Sequence, residues 1–489
     1  MSEPDHDLVD ATGCSCSGHS RRRFLSENAL GLGSVALASL MARDGLLRPA
    51  VAGTPVANPL AGTPADVRPR ARSVIFLFMT GGPSQMETFD PKPELNRLHG
   101  QPVPASFGKI TTQQTTEASL LLGCKRTFRQ HGESGLEMSD LFPYLSACAD
   151  DLAVIRSCHG DSVVHAPAMY QMNTGRILMG HPSLGSWAVY GLGSESDGLP
   201  AFVVMLDPDG ALTGGPPCWG SGFLPPAYQG TLFQSGPVPI PHLASSTGRS
   251  AARQRRSLDL LRQLNDGSDR LEPSLAEARA ASYELAFRMQ SRAPEAVDLS
   301  QETAETHRLY GCDREPTAEF GRRCLLARRL VERGVRFVQL YHGGGPGDMT
   351  WDAHGDIEEN HPRMAGQSDQ PIAALLTDLK RRGLLEDTLV ICGGEFGRTP
   401  MSQGKTGRDH NPFGFTMWMA GGGVPGGQAI GATDAIGLRA VEKPYHVNDL
   451  HATILRLLGL DHWNLSVLHN GREERLTDAE GSPIPEITG

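Results

Sequence analysis

The chain has 489 residues, 39% of them hydrophobic and 20% charged, with a formal net charge of −10 at pH 7. This length is enough to bury one large core or two smaller ones. The negative charge argues against nucleic acid or an anionic membrane surface as the main partner.

The first 52 residues predict an export signal. The segment SRRRFL at residues 20–25 precedes an uncharged run at 29–42 that is too short to span a bilayer. Paired arginines before such a run are typical of the twin-arginine pathway. We therefore expect a signal at 1–52, which would contact the export machinery, then a flexible lead-in at 53–70. The mature protein would be periplasmic or extracytoplasmic, without a transmembrane span.

Three apolar runs in the first half predict strands. Residues 73–79 are continuously apolar, as a strand buried on both faces requires, and 153–156 and 200–205 are shorter runs of the same kind. The first run ends at Thr80, and the loop after it carries two carboxylates, Glu87 and Asp90.

A charged helical stretch interrupts this pattern. Between residues 245 and 315, leucines recur at helical spacing among many charged residues, for example at 258, 261 and 264. We interpret this stretch as an inserted helical cap.

Helices and strands then alternate to the end of the chain. A helix at 322–333 precedes a strand at 335–340, and a helix at 368–382 precedes a strand at 388–392. Repeated units of this kind predict an α/β fold, a three-layer sandwich with a mainly parallel central sheet at 71–470. A last helix would begin at Asp449 as its N-cap, and 471–489 would form a C-terminal tail.

Carboxylates and histidines follow the later strands. Asp352 and His354 lie beyond the strand at 335–340, and Glu395 ends the strand at 388–392. Asp409 and His410 lie in a predicted loop before another apolar strand. Side chains at strand tips in open α/β proteins converge on one site, and these types bind divalent metals. His342 and His361 are alternative ligands, and ion pairs or turn caps are the alternative interpretation.

Several segments resemble one family of exported bacterial proteins, domain of unknown function 1501. They include FLFMTGGPSQ, HAPAMYQMNTG, LARRLVERGVRFVQLYHGG, WDAH, GEFGRTP, GRDH and DLHATIL, and together the matching pieces span about residues 72–462. That family in turn resembles the alkaline phosphatase and sulfatase superfamily. The resemblance implies an alkaline-phosphatase-like sandwich with metals at the strand tips, hydrolysing phosphate or sulfate esters.

The resemblance assigns metal ligands residue by residue. Asp352, His354, Glu395 and His410 match ligand positions of the superfamily in order. The carboxylate usual at the first strand tip is absent, because Thr80 stands there, and Phe396 replaces a usual histidine. The remaining candidates fall into three groups: Glu87, Asp90 and Asp409 as further ligands; Thr80, Ser162 and His165 as nucleophiles; and Arg156, Arg176, Arg398 and Arg408 as anion-binding residues.

Two hypotheses follow. In the first, the protein is an exported hydrolase that uses zinc, calcium, magnesium or manganese to cleave a small anionic ester or a sulfated or phosphorylated carbohydrate. In the second, it is a metal-stabilised relative without catalysis that binds carbohydrate or protein. The altered first strand tip favours the second hypothesis, and the retained ligands favour the first. A structural protein without any site is a third, more distant alternative.

Overall fold

The computed structural model describes residues 60–489, except 116–117, 197, 209, 235, 237, 242, 244–249, 267–272, 345–349 and 478–480. All of these lie within one compact unit, Asn58–Gly489. The predicted signal at 1–52 and the lead-in as far as residue 59 lie outside the described residues. Parts of the predicted cap do so as well.

The described chain contains seventeen strands. In chain order they are β1 Ser73–Met79, β2 Phe128–His131, β3 Leu136–Ser139, β4 Leu152–His159, β5 Phe202–Met205, β6 Thr231–Phe233, β7 Phe337–His342, β8 Thr388–Gly393, β9 Gly397–Gln403, β10 Gly407–Asn411, β11 Phe415–Ala420, β12 Gln428–Ile430, β13 Ala432–Thr433, β14 Ala440–Glu442, β15 Tyr445–His446, β16 Val467–His469 and β17 Arg472–Glu474.

The α-helices of the same residues number eleven. They are α1 Gln85–Thr88, α2 Pro93–Arg97, α3 His165–Thr174, α4 Leu184–Leu192, α5 Ala251–Asp266, α6 Pro273–Val297, α7 Ala304–Leu309, α8 Ala318–Glu332, α9 Ile357–Arg381, α10 Val447–Leu457 and α11 Pro485–Thr488.

Nine strands form the central sheet. Their order is β12-β4-β11-β8-β1-β7-β5-β6, and β15 also pairs with β4. All neighbours pair in parallel except those of β11, which is antiparallel to both β8 and β4. The predicted α/β fold with a mainly parallel sheet is therefore confirmed.

The sheet separates two hydrophobic cores. Ile75, Leu77 and Met79 of β1 face a core that includes buried residues of α8 and α9. The alternate residues Val74 and Phe76, with Phe78, face a second core that includes residues of α3, α4 and α10. Because side chains of a strand point alternately to opposite faces, β1 contributes to both cores, and the fold has three layers.

Three local features differ from the sequence-based expectation. The predicted polar loop between β8 and β11 is the antiparallel hairpin β9–β10. Helix α9 begins at Ile357 because the carboxylate of Asp356 accepts hydrogen bonds from two first-turn amides. Helix α10 begins at Val447 with His446 as its N-cap, and Asp449 lies in the first turn, where it accepts from the His446 amide.

The predicted lead-in and tail both contact the body where they are described. The Arg70 amide donates to the Leu457 carbonyl at 2.8 Å, and Leu60 is buried. Near the other end, Ile484 and Ile487 are fully buried in the second core. In the part of the chain that the structure describes, we find no helix with the length and apolarity that crossing a bilayer demands.

Candidate metal centre

Four side chains converge at the carboxyl edge of the sheet. His165 is the first residue of α3, Asp352 and His354 lie between β7 and α9, and His410 lies on β10. Each offers one ligand atom, and these four atoms all lie within 4.8 Å of one another. The structure thus brings together three of the predicted ligands and one of the predicted nucleophiles.

The Asp352 carboxylate lies at the centre of this cluster. Its Oδ1 is 2.9 Å from His354 Nε2 and 3.3 Å from His410 Nε2, and its Oδ2 is 3.2 Å from His165 Nε2. The Nε2 atoms of His354 and His410 are 2.9 Å apart. One carboxylate oxygen and three imidazole nitrogens therefore point towards a common space.

The outer nitrogen of each imidazole ring faces a hydrogen-bond acceptor. His165 Nδ1 lies 2.7 Å from Glu395 Oε1, and His410 Nδ1 lies 2.7 Å from the Val163 carbonyl. His354 Nδ1 contacts the side-chain oxygen of Gln403. An acceptor at Nδ1 favours the tautomer with its proton there, which leaves the Nε2 lone pair free to face the cluster. If both rings carry their proton at Nδ1, the Nε2 lone pairs of His354 and His410 face each other at 2.9 Å and repel unless a proton or a metal ion lies between them.

The two carboxylates set the charge of His165. Burial lowers the pKa of this imidazole, but its hydrogen bonds to Asp352 and Glu395 and their charges outweigh burial and raise the pKa to about 9. For His410, burial dominates and lowers the pKa to about 4. At neutral pH in the metal-free cluster, His165 is therefore an imidazolium and His410 is neutral.

This pKa predicts how metal binding depends on pH. A ligand must lose its proton to coordinate, so binding through His165 Nε2 should release about one proton below pH 9. We expect the affinity for zinc to fall about tenfold for each pH unit from 9 down to 6. Calorimetry in buffers of different ionisation enthalpy measures this proton release. No proton release would contradict coordination by His165.

Glu395 supports a ligand instead of joining the cluster. It follows β8, is buried, and accepts from the Gly81 amide at 3.0 and 3.2 Å through its two oxygens. Its Oε1 also faces His165 Nδ1. The carboxylate that the sequence assigned to the metal therefore lies behind His165.

Arg398 is a buried residue that pairs with Asp352, not an exposed residue available to bind an anionic substrate. Its guanidinium is 0% exposed and lies 2.6 Å from Asp352 Oδ1. It donates to the Gly82 carbonyl at 2.9 Å, the Arg408 carbonyl at 3.2 Å and the Gly81 carbonyl. Four contacts fix the guanidinium, and its charge contributes to a strongly lowered pKa of Asp352 against the opposing effect of burial. Arg398 thus holds the Asp352 carboxylate ionised and in place.

Two further predicted ligands are committed to cations elsewhere. Glu87 Oε1 lies 2.7 Å from Arg408 Nη2, and both side chains are almost fully buried. Asp90 lies 2.8 Å from Lys92 Nζ and 3.9 Å from Arg156 Nε. These pairs occupy the carboxylates of Glu87 and Asp90 and the guanidinium of Arg408, so none of the three reaches the cluster.

Asp409 points away from the cluster although His410 is its neighbour. The β9–β10 pairing is irregular between Arg408 and His410, and at this point the Asp409 carboxylate accepts from the amides of Gln114, Thr115 and His410 at 2.6, 2.8 and 2.8 Å. These neutral donors outweigh burial and lower its pKa. It is a structural anchor rather than a ligand.

The other candidates differ in position. Thr80 directly follows β1, and its buried hydroxyl has no hydrogen-bond partner among the described residues. The Ser162 hydroxyl accepts from the Val164 amide at 3.1 Å, so it shapes the turn before α3. Arg176 lies beyond the far end of the ten-residue α3, about 15 Å from the His165 end.

The alternative histidines are bound within the protein. His342 Nδ1 accepts from Trp351 Nε1 at 3.1 Å, and His361 Nε2 accepts from the Ser84 amide at 2.8 Å. Sequence reasoning also missed Gln403, which binds His354. Only recognition of the hairpin β9–β10 as paired strands would have placed Gln403 near that ring.

The fold and the cluster define a class: an α/β protein with a possible metal site at the tips of a mainly parallel sheet. The sequence model of one family, described as Protein of unknown function (DUF1501), matches residues 71–488. The chain therefore belongs to the DUF1501 family. The search of curated proteins gave no match.

Solved structures similar to this chain include hydrolases. A sulfatase from Pseudoalteromonas sp. is 13% identical with a TM-score of 0.34, over 87% of this chain and 70% of the other. A phosphonate monoester hydrolase from Silicibacter pomeroyi is 13% identical with a TM-score of 0.33, over 71% of this chain and 72% of the other. Alkaline phosphatase from the Antarctic bacterium TAB5 is 10% identical with a TM-score of 0.32, over 80% of this chain and 99% of the other.

Proposed function

We propose that His165, Asp352, His354 and His410 bind one zinc ion and that the protein is an exported hydrolase of phosphate or sulfate esters. The observation that carries the metal site is the set of acceptors at all three Nδ1 atoms. Metal-binding histidines characteristically donate their second N–H to a carboxylate or carbonyl, which fixes the tautomer and the ring orientation. Location outside the cytoplasm rests on the paired arginines at residues 21–23.

The donor set favours zinc among the divalent ions considered. Calcium and magnesium prefer six or more oxygen ligands, whereas three imidazole nitrogens and one carboxylate oxygen suit zinc. Zinc–nitrogen bonds of about 2.0–2.1 Å in tetrahedral geometry separate the ligands by about 3.3 Å. The distances from the two Asp352 oxygens to the three Nε2 atoms, and between the Nε2 atoms of His354 and His410, are 2.9–3.3 Å and close to this value. The four ligand atoms all lie within 4.8 Å of one another.

The chemistry of the site depends on ligands that are already held. Zinc held by all four side chains would have to become five-coordinate to accept an ester oxygen or a water, whose reactivity it would then raise. Arg398 fixes Asp352, and Glu395 fixes His165, so neither ligand must reorient as charge develops on the ester. Of the three predicted nucleophiles, Thr80 alone keeps a buried hydroxyl that no described residue engages. We therefore assign the nucleophile to Thr80 or to water.

Metal content and hydrolysis test this proposal together. We expect one zinc per purified chain by elemental mass spectrometry, and hydrolysis of aryl phosphate or aryl sulfate esters that a chelator abolishes. His410→Ala should weaken zinc binding at least 100-fold, because the site loses a ligand. His307→Ala is the matched control, since this imidazole contacts the Leu299 carbonyl in another part of the protein. Full zinc content in His410→Ala would disprove the site.

One observation favours the non-catalytic alternative. Phe396, in the place where the superfamily resemblance implies a histidine, stacks on His410 with ring centroids 4.5 Å apart. The first strand tip also lacks a carboxylate, so the described cluster supplies ligands for a single ion. Stoichiometric zinc without hydrolysis of either ester class would support a metal-stabilised binding protein.

A further inference from the structure

Segment 112–115 is attached to the metal cluster through Asp409. The carboxylate is 0% exposed, and its Oδ2 accepts from the consecutive amides of Gln114 and Thr115 at 2.6 and 2.8 Å and from the Thr115 hydroxyl at 3.2 Å. Its Oδ1 accepts from the amide of His410 at 2.8 Å. One carboxylate therefore joins the segment to the backbone of a zinc ligand.

A second connection reaches the segment from His354. Gln403 accepts from His354 Nδ1 through its side-chain oxygen and donates to the side-chain oxygen of Gln114 through its nitrogen. Gln114 is thus held at its amide by Asp409 and at its side chain by Gln403. The contacts form a closed ring, because His354 Nε2 and His410 Nε2 lie 2.9 Å apart on the cluster side.

The segment has few other attachments. Residues 112–115 form neither helix nor strand, and none of them is fully buried. Among the described residues, Gln114 and Thr115 form hydrogen bonds outside the segment only with Asp409 and Gln403. The order of this segment therefore depends on the positions of two side chains that also contact the zinc ligands or their backbone.

We propose that Asp409 is a positioning residue that couples zinc binding to the order of segment 112–115. The inference rests on the proposed zinc site. Zinc fixes the Nε2 ends of His354 and His410, which holds the Gln403 and Asp409 contacts at the opposite side in one arrangement. Coupling is reciprocal, so an ordered segment raises zinc affinity by the same factor by which zinc favours the ordered segment.

Hydrogen–deuterium exchange with and without zinc measures this coupling. In the wild-type protein, saturating zinc should slow exchange of the Gln114 and Thr115 amides about tenfold, within the usual range of coupling between sites. In Asp409→Asn, saturating zinc should no longer slow it, and zinc affinity should fall about tenfold, as for other residues that orient ligands. A purely structural role for Asp409 would raise exchange in both states and leave the zinc-dependent difference intact.

Asp369→Asn is the matched control. Asp369 is also a buried carboxylate that accepts from two consecutive amides, of Tyr144 and Leu145 at 2.8 and 2.7 Å, but it lies on α9. This variant should retain both zinc affinity and the zinc-dependent protection of Gln114 and Thr115. Gln403→Leu removes only the connection from His354 to Gln114 and should halve the zinc-dependent slowing of exchange at Gln114 and Thr115. This variant tests the coupling even if Asp409→Asn fails to fold.

The outcomes separate this inference from the proposed function. If the wild-type protein binds zinc but exchange at Gln114 and Thr115 is unchanged, the coupling is wrong and the zinc site stands. If Asp409→Asn keeps the full zinc-dependent protection, the assignment of Asp409 is wrong. If the wild-type protein binds no zinc, the proposed site fails, and the coupling fails with it.

Discussion

Replacing Asp352 by Asn should abolish tight zinc binding and lower the free energy of unfolding of the metal-free protein by about 3 kcal/mol. The amide removes the carboxylate that pairs with the fully buried Arg398 at 2.6 Å. Breaking one partner of a buried ion pair costs about 3–5 kcal/mol, because the other charge stays buried without compensation. The low end applies here because backbone carbonyls still accept from the guanidinium. Urea unfolding in the presence of a chelator measures this loss.

An exposed ion pair provides the control. Glu94 pairs with Arg97 on the surface of α2, and Glu94→Gln should leave zinc content and the urea midpoint unchanged, because solvent screens such pairs. If Asp352→Asn unfolds at the wild-type midpoint, Arg398 does not depend on Asp352. If it retains tight zinc binding, the cluster is not the metal site.

Glu87→Gln should destabilise the protein by about 3 kcal/mol, since three backbone carbonyls still accept from the Arg408 guanidinium, and should leave the zinc content unchanged. Glu87 and Arg408 are 1% and 0% exposed and lie 2.7 Å apart, so the neutral amide leaves a buried guanidinium unpaired. The double variant Glu87→Leu with Arg408→Met should lose less stability than Glu87→Gln, because no unpaired charge remains. Urea unfolding and elemental analysis of each variant distinguish the two effects.

This experiment also decides between two roles for Glu87. A metal ligand would lose zinc on substitution by Gln, whereas a structural ion-pair partner would lose only stability. Loss of zinc from Glu87→Gln at temperatures where the variant is folded would restore the role that the sequence predicted and contradict the structural assignment.

The strands could be predicted because burial on both faces leaves a direct signature. The continuous apolar run at 73–79 corresponds to β1 residue for residue, and 335–340 overlaps β7. The hairpin β9–β10 gave no such signature. Its strands lie outside the central sheet and have the sequences GRTPMSQ and GRDHN, in which the turn-forming residues Gly, Pro, Ser, Asp and Asn are frequent.

The site could be predicted only in part, because sequence gives residue types but not side-chain directions. Asp352, His354 and His410 follow strands whose carboxyl ends meet at one edge, so their convergence was inferable. In the sequence Asp409 and His410 are equally good candidate ligands, but in the fold the amides of Gln114 and Thr115 bind Asp409 where the β9–β10 pairing is irregular. Glu395 satisfied the same criteria as the ligands, yet it contacts His165 from behind.

Buried arginines were the least predictable feature. Arg398 and Arg408 are both fully buried, although arginine usually lies at the surface. Each is accommodated because a carboxylate and several backbone carbonyls accept from its guanidinium. Such an arrangement requires chain segments that approach each other only in the folded protein, so no local sequence pattern predicts it.

The wide spacing of the cluster along the chain has a consequence for folding. His165 contacts Glu395 across 230 positions, and His354 contacts His410 across 56. Closing such long loops is slow and gains nothing until the intervening sheet exists. An ion at the proposed site therefore would not nucleate folding, as it does in a zinc finger, but would be captured by a body that has already folded. Refolding rates should thus be independent of zinc concentration, while the unfolding rate falls as zinc is added.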